Sequence, residues 1–285
     1  MILSFHPLFV ADRNINCAGR DPGVTELRAI QAADAVILPQ GCRKSLYVMA
    51  RSICPHVFPN YDARFDYPDK FGQARLFQEI GVPHPRTEVY DRNKLSDAVY
   101  EDLIKNPPFS FPFVFKFDWG GEGDNVFLVD AVTTLEKLLN KAISYEKTGQ
   151  YGFMLQEFIP TQGRSLRVVV IHRRMICYWR IQRSQAYFHT NLTKGAKIDR
   201  RMDPELQKAA ITAVQKFSGI THINLAGFDF LFSEKESSQG NPTPLFLEIN
   251  YFFGRKGLGG SDAYYRILFK EIHHWIDSLP LRRPD

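Results

Sequence analysis

Short apolar runs alternate with helically spaced apolar positions in the first 60 residues. The runs at 2–5, 35–38 and 56–58 predict strands, and the spacing at 23–33 and 45–53 predicts helices between them. Strands that alternate with helices are typical of a parallel sheet, because each return helix covers a face of the sheet. The pattern therefore predicts a small β-α-β-α-β unit. This unit has no GxGxxG and no GxxxxGK[ST] motif, so we expect neither dinucleotide nor P-loop chemistry there.

The rest of the chain mixes predicted strands and helices without strict alternation. Helices are predicted at residues 70–80, 133–147, 204–217 and 262–276. Strands are predicted at residues 109–117, 125–129, 154–159, 166–172, 175–182, 227–232 and 244–250. Such a mixture favours α+β units over a doubly wound sheet. The predicted class is therefore α+β, with a small α/β unit at the amino end.

Composition narrows the class of protein. The 285 residues are 44% apolar and 24% charged, and the net charge of +5 is spread along the chain without a basic block. This is ordinary for a soluble globular protein and gives no sign of a nucleic-acid partner. The four cysteines form no CxxC pair, and the amino end lacks the features of a signal peptide. No apolar stretch reaches the roughly 18 residues of a membrane span, so we expect no membrane contact and a cytoplasmic location.

A carboxylate and an amide share one face of the strand predicted at 244–250. Glu248 and Asn250 are two residues apart, so their side chains project together. Asp229 lies in the preceding predicted strand, and pairing of the two strands would bring three oxygen donors together. That set suits Mg²⁺ carried in with a nucleotide. The alternative is a solvent-facing hairpin with ordinary polar residues, and these residues alone do not decide between the two.

A glycine-rich turn follows a lysine inside an apolar strand. Glycines leave backbone N–H groups free to surround phosphate oxygens, and a lysine just before them could reach the same phosphates. The alternative is a flexible surface loop, with the lysine on a solvated strand face beside Val114 and Asp118. The residues concerned are Lys116, Gly120, Gly121, Glu122, Gly123 and Asp124.

Three further segments carry weaker signals. The strand end from Gln156 to Ile159 offers backbone groups and apolar walls that adenine could use, although a plain strand end has the same pattern. Arg167 and Arg180 lie inside predicted strands, where a guanidinium is costly unless an anion meets it. Asn191 lies in a polar loop that could face phosphate.

These segments, in this order, resemble the ATP-grasp superfamily, and most closely its branch of RimK-type ribosomal-protein glutamate ligases. The resemblance covers about residues 60 to 260 and is most specific at Glu248 and Asn250. It implies an ATP-grasp fold, in which two α+β subdomains clamp ATP, after a small α/β domain. The implied boundaries are 1–68 for the small domain and 69–285 for the ATP-grasp domain. Within the latter, 109–160 is implied to be a mobile, lid-like subdomain and 161–285 the metal-binding subdomain.

The resemblance also implies a role for each candidate residue, with ATP and Mg²⁺ or Mn²⁺ as cofactors. The implied nucleotide-binding residues are Lys70, Lys116, Gly120, Gly121, Glu122, Gly123, Gln156, Glu157, Phe158 and Ile159. The implied catalytic residues, near the transferred phosphate, are Arg167, Lys116 and Asn191. The implied metal ligands are Asp229, Glu248 and Asn250.

Two departures from the branch bear on the substrate. His189 stands where the branch usually has arginine, and the segment from Tyr251 to Lys256 replaces its usual Ser-Pro-Gly turn. Because that turn borders the acceptor pocket, we expect a different acceptor here. The basic residues Arg180, Arg255 and Lys256 indicate an acidic or peptide-like one.

The implied activity is an ATP- and Mg²⁺-dependent carboxylate–amine ligase that works through an acylphosphate. Its substrates would be an amino acid, peptide or small carboxylate together with an amine acceptor, and a homodimer is a common assembly in this superfamily. Two alternatives remain open: a kinase that phosphorylates a small molecule, and a nucleotide-binding regulatory protein with little turnover. ADP release that requires an amine would favour the ligase, phosphorylated product without an amine the kinase, and binding without turnover the regulator.

Overall fold

The computed structural model describes residues 1–119, 125–182, 195–233 and 242–281, which form thirteen strands and eight α-helices. The strands are β1 (Ile2–Ser4), β2 (Arg13–Asn14), β3 (Ala35–Ile37), β4 (Val57–Phe58), β5 (Thr87–Tyr90), β6 (Phe113–Phe117), β7 (Val126–Val129), β8 (Phe153–Glu157), β9 (Arg164–Ile171), β10 (Arg174–Ile181), β11 (Lys197–Asp199), β12 (Leu225–Leu231) and β13 (Leu245–Asn250). The helices are α1 (Val24–Gln31), α2 (Lys44–Ile53), α3 (Asp62–Asp66), α4 (Asp69–Ile80), α5 (Asp97–Lys105), α6 (Val132–Glu146), α7 (Pro204–Thr221) and α8 (Ser261–Asp277), with a 3₁₀ turn at Lys256–Leu258.

The amino-terminal sheet is parallel, as predicted. Its order is β2-β1-β3-β4, with α1 and α2 as the return helices. Leu3 pairs with Val36, and Ile37 pairs with Phe58. β3 and β4 are fully buried and β1 is largely buried, which explains their short continuous apolar runs. The sequence pattern missed β2, because its two residues are polar and exposed.

A five-stranded antiparallel sheet forms the centre of the molecule, in the order β11-β10-β9-β12-β13. One of its faces is apolar. Leu166 and Val168 of β9, and Phe228 and Phe230 of β12, belong to a core that also includes α7 and the amino-terminal unit. Because strand side chains alternate between faces, the residues between these must point to the opposite face of the sheet.

The third sheet is antiparallel, in the order β5-β8-β6-β7, and it contains the predicted hairpin of β6 and β7. Phe113, Phe115, Phe117 and Phe153 pack on one side, in a separate core with α5 and α6. The other side of this sheet therefore carries the alternate residues, among them Lys116.

Helix α4 joins the two antiparallel sheets. Phe71 packs with Met154 of the third sheet, whereas Phe77 packs against Phe217 of α7 and Phe246 of the central sheet. The helix ends at Ile80, and the next residue, Gly81, adopts a left-handed φ of 73°, as a glycine can at a helix end. The packing of Phe71 and Phe77 therefore holds α4, with its first turn, close to both sheets.

The predicted domain boundaries at residues 68, 109 and 161 stay predictions. The structure shows that the amino-terminal unit shares one buried core with the central sheet, and that the third sheet has its own. Among the described residues, no helix combines the length and apolar character that a membrane crossing requires.

Candidate functional site

One face of the central sheet is polar at the end nearest the third sheet. Asp229 lies between Phe228 and Phe230, whose side chains enter the core, so its carboxylate points to the opposite face. The registers of β9 with β10 and β12, and of β12 with β13, place further polar side chains beside it. These residues are Ser165, Arg167, Arg180, Glu248 and Asn250.

Asp229 is the centre of this group. Its Oδ1 accepts from Arg167 Nε at 2.6 Å, and its Oδ2 accepts from Arg167 Nη2 at 2.7 Å. Arg180 Nη2 lies 3.0 Å from Oδ2, and Asn250 Nδ2 donates to Oδ2 at 3.1 Å. Burial raises the pKa of Asp229, but the two guanidinium groups outweigh it and hold that pKa below its usual value. The anion that the two strand arginines were expected to need is therefore this carboxylate.

Glu248 and Asn250 complete the predicted trio. Glu248 lies opposite Asp229 in the register of β12 and β13, and Asn250 lies opposite Gly227. No hydrogen bond or ion pair joins the Glu248 carboxylate to the described part of the chain, and burial raises its pKa. Because Asn250 donates its amide N–H to Asp229, its carbonyl oxygen is left for another partner. Two oxygen donors are thus available, of the kind that Mg²⁺ prefers, while Asp229 is engaged by arginines.

Lys116 is half-buried on the face of the third sheet opposite its phenylalanine core, and it interacts electrostatically with Glu248. Its Nζ donates to Gln156 Oε1 at 2.7 Å. Gln156 Nε2 in turn donates to Thr87 Oγ1 at 2.8 Å, and the Thr87 hydroxyl donates to the carbonyl of Pro85 at 2.8 Å. Burial lowers the pKa of Lys116 to about 8, with Glu248 acting to raise it and Lys70 acting to lower it.

Lys70 ties the first turn of α4 to the end of β6. Its Nζ donates to the carbonyl of Asp118 at 3.2 Å, and the backbone N–H of Phe71 donates to Asp118 Oδ1 at 3.0 Å. Burial raises the pKa of Asp118. The chain then enters the predicted glycine-rich turn. That turn, with Gly120, Gly121, Glu122 and Gly123, lies outside the described residues, as do His189 and Asn191.

The charges converge from three elements. Lys116, Arg167 and Lys70 all act on the Glu248 carboxylate, which places the third sheet, the central sheet and α4 around one region. Among the described residues, the site holds four cationic side chains and three carboxylates. These are Lys70, Lys116, Arg167 and Arg180, and Asp118, Asp229 and Glu248. The excess of positive charge suits a polyanionic ligand.

The strand end predicted to hold adenine is partly used by the protein itself. The Gln156 side chain binds Lys116, and the Glu157 backbone N–H donates to the carbonyl of Arg86 at 2.9 Å. The Glu157 carboxylate pairs with the exposed Arg86 guanidinium at 3.1 Å. Phe158 and Ile159 follow the strand, half-buried. Their contact with adenine stays a prediction.

Sequence reasoning missed several residues that hold the site together. Gln73 binds both backbone groups of Ile249, with its Nε2 donating at 2.9 Å and its Oε1 accepting at 2.8 Å. The available signal was spacing, because Gln73 lies three residues after Lys70 on the same helix face. The others are Thr87, which accepts from Gln156, and Asp118, which the sequence indicated only as a residue sharing the face of Lys116.

The segment after Asn250 packs closely against the site. Gln40 Nε2 donates to the carbonyl of Tyr251 at 2.8 Å. A Cβ at Gly257 would lie 2.0 Å from Cζ of Tyr178, so only glycine fits beneath that ring. Arg255 stacks on Tyr264 and Tyr265, while Lys256 is exposed. The third predicted acceptor residue, Arg180, is buried and paired with Asp229, so it is not free to meet an acceptor.

Comparison with known families decides the classification. The model of the RimK-like ATP-grasp domain matches residues 68–267, which is more than half of the chain. The chain belongs to the RimK-like ATP-grasp family. The matched span contains each site residue from Lys70 to Asn250, and the predicted resemblance is confirmed.

Relatives of this RimK-like chain are distant. A probable alpha-L-glutamate ligase of Coxiella burnetii is 25% identical over 192 residues, which cover 67% of this chain and 57% of that protein. The chain thus matches little more than half the length of this curated relative.

Solved structures show the same fold. A RimK domain ATP-grasp protein of Sphaerobacter thermophilus matches with a TM-score of 0.57 and 16% identity, over 95% of this chain and 98% of that one. D-alanyl-alanine synthetase A of Vibrio cholerae matches with a TM-score of 0.61 and 10% identity, over 86% and 77% of the two chains. The predicted fold class, an ATP-grasp fold of mixed α and β structure, is confirmed.

Proposed function

We propose that this RimK-like chain is an ATP-dependent carboxylate–amine ligase. The observation that carries the proposal is the meeting of Lys70, Lys116 and Arg167 with Glu248 between two sheets. A cationic, partly buried site of this kind suits the phosphates of ATP. The family, and a relative described as a probable alpha-L-glutamate ligase, support ligation as the reaction.

The main obstacle to the first step of the reaction is repulsion between two anions rather than a proton transfer. A substrate carboxylate oxygen attacks the γ-phosphorus of ATP, the bond to the bridging oxygen breaks, and ADP leaves with that electron pair. The amine nitrogen then attacks the acyl carbon, phosphate leaves, and the nitrogen loses a proton to give the amide. No general base is needed in the first step, because the nucleophile is already an anion. Lys70, Lys116 and Arg167 offset the repulsion between the two anions.

Each of these three cationic side chains is held in place by different neighbours. Lys116 is oriented by Gln156, and Lys70 by the carbonyl of Asp118. Arg167 lies over Gly227, where a Cβ would come within 3.5 Å of its Cδ. Fixed donors of this kind lower a barrier because they need little reorganisation during the reaction. Asn191 and the glycine-rich turn at 120–123 are proposed to complete the phosphate site.

Glu248, Asn250 and Asp229 are the proposed metal ligands. Mg²⁺ held by these oxygens would neutralise phosphate charge during transfer. Glu248 and the carbonyl of Asn250 are open to a metal in the described structure, whereas Asp229 must first exchange an arginine for it.

The acceptor is proposed to be an acidic amino acid or peptide that meets the segment from Tyr251 to Lys256. Arg255 and Lys256 are the cationic residues of this segment, and Phe252 is 62% exposed beside Arg64, with 4.7 Å from its ring centre to the guanidinium carbon. An exposed aromatic ring with adjacent cations suits a peptide-like anion.

The test is ADP formation by the purified chain with ATP, Mg²⁺ and a panel of amino acids and acidic peptides. We expect ADP only when a carboxylate and an amine are both present. We also expect Glu248→Gln to bind ATP but lose most Mg²⁺-dependent turnover, while Glu88→Gln, on β5, keeps it. Phosphorylated product without an amine would instead favour a kinase, and ATP binding without turnover across the panel would favour a regulatory protein.

A further inference from the structure

Arg180 is a buried cation that the proposed reaction does not use. It lies in β10 opposite Ser165 of β9 and is 6% exposed. Its Nε and Nη2 donate to Ser165 Oγ at 3.1 and 2.8 Å, and Nη2 also lies 3.0 Å from Asp229 Oδ2. Three contacts on two partners therefore fix this guanidinium in place.

Arg167 is held differently. Both of its side-chain hydrogen bonds among the described residues go to Asp229, at 2.6 and 2.7 Å, and its stem passes over Gly227, which has no side chain. Of the two arginines, Arg167 can thus exchange Asp229 for another anion by losing one partner, whereas Arg180 keeps Ser165. A phosphate is such an anion, because it accepts the same forked pair of N–H groups as a carboxylate does.

Neither oxygen of the Asp229 carboxylate is free of an arginine. Arg167 Nε donates to Oδ1, and Oδ2 is met by Arg167 Nη2, Arg180 Nη2 and Asn250 Nδ2. Three donors on Oδ2 exceed the about two acceptor positions that one carboxylate oxygen offers. A divalent cation that approached Asp229 in this arrangement would also meet two guanidinium charges within a few ångströms, which opposes its binding.

We propose that Arg180 and Arg167 together close Asp229 to free Mg²⁺, and that nucleotide phosphate opens it by drawing Arg167 away. Arg180 is then a positioning residue, which keeps the Asp229 carboxylate oriented through Oδ2 while Oδ1 becomes free. The metal binds with or after the nucleotide and does not fill the site alone. The second half of this inference rests on the proposed function, whereas the first half concerns the nucleotide-free protein only.

The experiment is a Mn²⁺ titration of the full chain without nucleotide, followed by electron paramagnetic resonance, in which free Mn²⁺ is counted directly. The variants are Arg180→Met, which removes the anchored charge, and Arg174→Met as a matched control, because Arg174 is exposed at the start of the same strand. We expect the wild-type chain and Arg174→Met to bind Mn²⁺ weakly. We expect Arg180→Met to bind it at least about tenfold more tightly, since one repelling charge and one competing donor are gone.

A second measurement keeps the inference testable if Arg180→Met folds poorly. The wild-type chain is titrated with Mn²⁺ in the presence of a non-hydrolysable ATP analogue, and we expect stoichiometric protein-bound Mn²⁺ at concentrations that leave the nucleotide-free chain nearly empty. Tight Mn²⁺ binding by the nucleotide-free wild-type chain would overturn the inference. So would a folded Arg180→Met whose Mn²⁺ affinity equals that of the wild type.

These outcomes are separable from the proposed function. The nucleotide-free titration contains no substrate. Tight Mn²⁺ binding in it would show that Asp229 is not closed to the metal, and it would leave the proposal of ATP-dependent ligation unaffected. Failure of the wild-type chain to bind any ATP analogue would remove the proposed function and with it the opening step.

Discussion

The side-chain relay behind Lys116 allows one arrangement only. Because Gln156 Oε1 faces the lysine, its amide N–H₂ must face Thr87, and the Thr87 hydroxyl must then donate to Pro85. Each side chain in the relay provides the hydrogen-bond partner that the next one needs, so the Lys116 nitrogen is held at a defined place on the sheet. A relay of this kind is worth most when every member is paired.

Loss of the Thr87 hydroxyl should loosen this lysine. Thr87→Val keeps the shape but leaves the buried Gln156 amide without its acceptor, so we expect ATP affinity to fall about threefold to tenfold. Thr87→Ser should retain wild-type affinity because it keeps the hydroxyl. Isothermal titration with ATP and Mg²⁺ measures both. Equal affinity in the valine and serine variants would show that the relay does not position Lys116.

The pKa of Lys116 predicts a pH dependence with a definite sign. Burial places that pKa at about 8, below the usual value for lysine, so the free protein loses this charge as pH rises through 8. Since phosphate binds the protonated form, ATP affinity should fall by up to about tenfold per pH unit above 8 and be level below it. Titrations at several pH values test this. Lys116→Met should bind more weakly and lack this slope, and an unchanged slope in that variant would assign it to another group.

At the scale of elements, α4 acts as a clamp on the edge of the central sheet. Strand β13 is the last strand of the sheet, and Gln73 binds the N–H and carbonyl of Ile249 as another strand would. The Phe246 N–H donates to the carbonyl of Pro83 at 2.8 Å, so the turn after α4 also covers the edge of β13. Ile249 lies between Glu248 and Asn250, which ties the proposed metal ligands to the helix that carries Lys70.

Removal of this clamp should disturb the metal more than the nucleotide. Gln73→Leu leaves both backbone groups of Ile249 without their partner, so we expect a loss of about 1–3 kcal/mol in unfolding free energy. We also expect a severalfold rise in the Mg²⁺ concentration needed for half-maximal turnover. Arg75→Leu, which removes only an exposed ion pair on the same helix, is the control and should change neither. A Gln73→Leu chain that is merely less stable, with an unchanged Mg²⁺ requirement, would make the clamp purely structural.

The elements show what local patterns can and cannot predict. The parallel amino-terminal unit and the hairpin of β6 and β7 were predictable, because their apolar periods are clear. The sequence pattern missed α3 and β11, which have five and three residues, and α5, in which Tyr100 and Leu103 are the buried positions. The face shared by Glu248 and Asn250 followed from the two-residue period of a strand. The pairing of Arg167 with Asp229 did not, because it depends on the register of β9 with β12, 62 residues apart.

At the scale of the whole molecule, the candidate site is assembled from segments far apart in the chain. The amino-terminal sheet and the central sheet share a core, the third sheet has its own, and α4 contacts both antiparallel sheets. The positive charge of Lys70 therefore acts on the negative charge of Glu248 across the space between the two antiparallel sheets. The match to the family model places the chain among RimK-like ATP-grasp proteins, and the acceptor is proposed to meet the segment after Asn250.

The central claim, ligation through an acylphosphate, is tested most directly by following carboxylate oxygen. The wild-type chain is incubated with ATP, Mg²⁺, an amine and an acidic amino acid or peptide whose carboxylate carries ¹⁸O, and the released phosphate is analysed by mass spectrometry. The account predicts one ¹⁸O atom in each phosphate released with the amide product. Release of unlabelled phosphate together with the amide, or transfer of phosphate to a hydroxyl group without an amine, would contradict it.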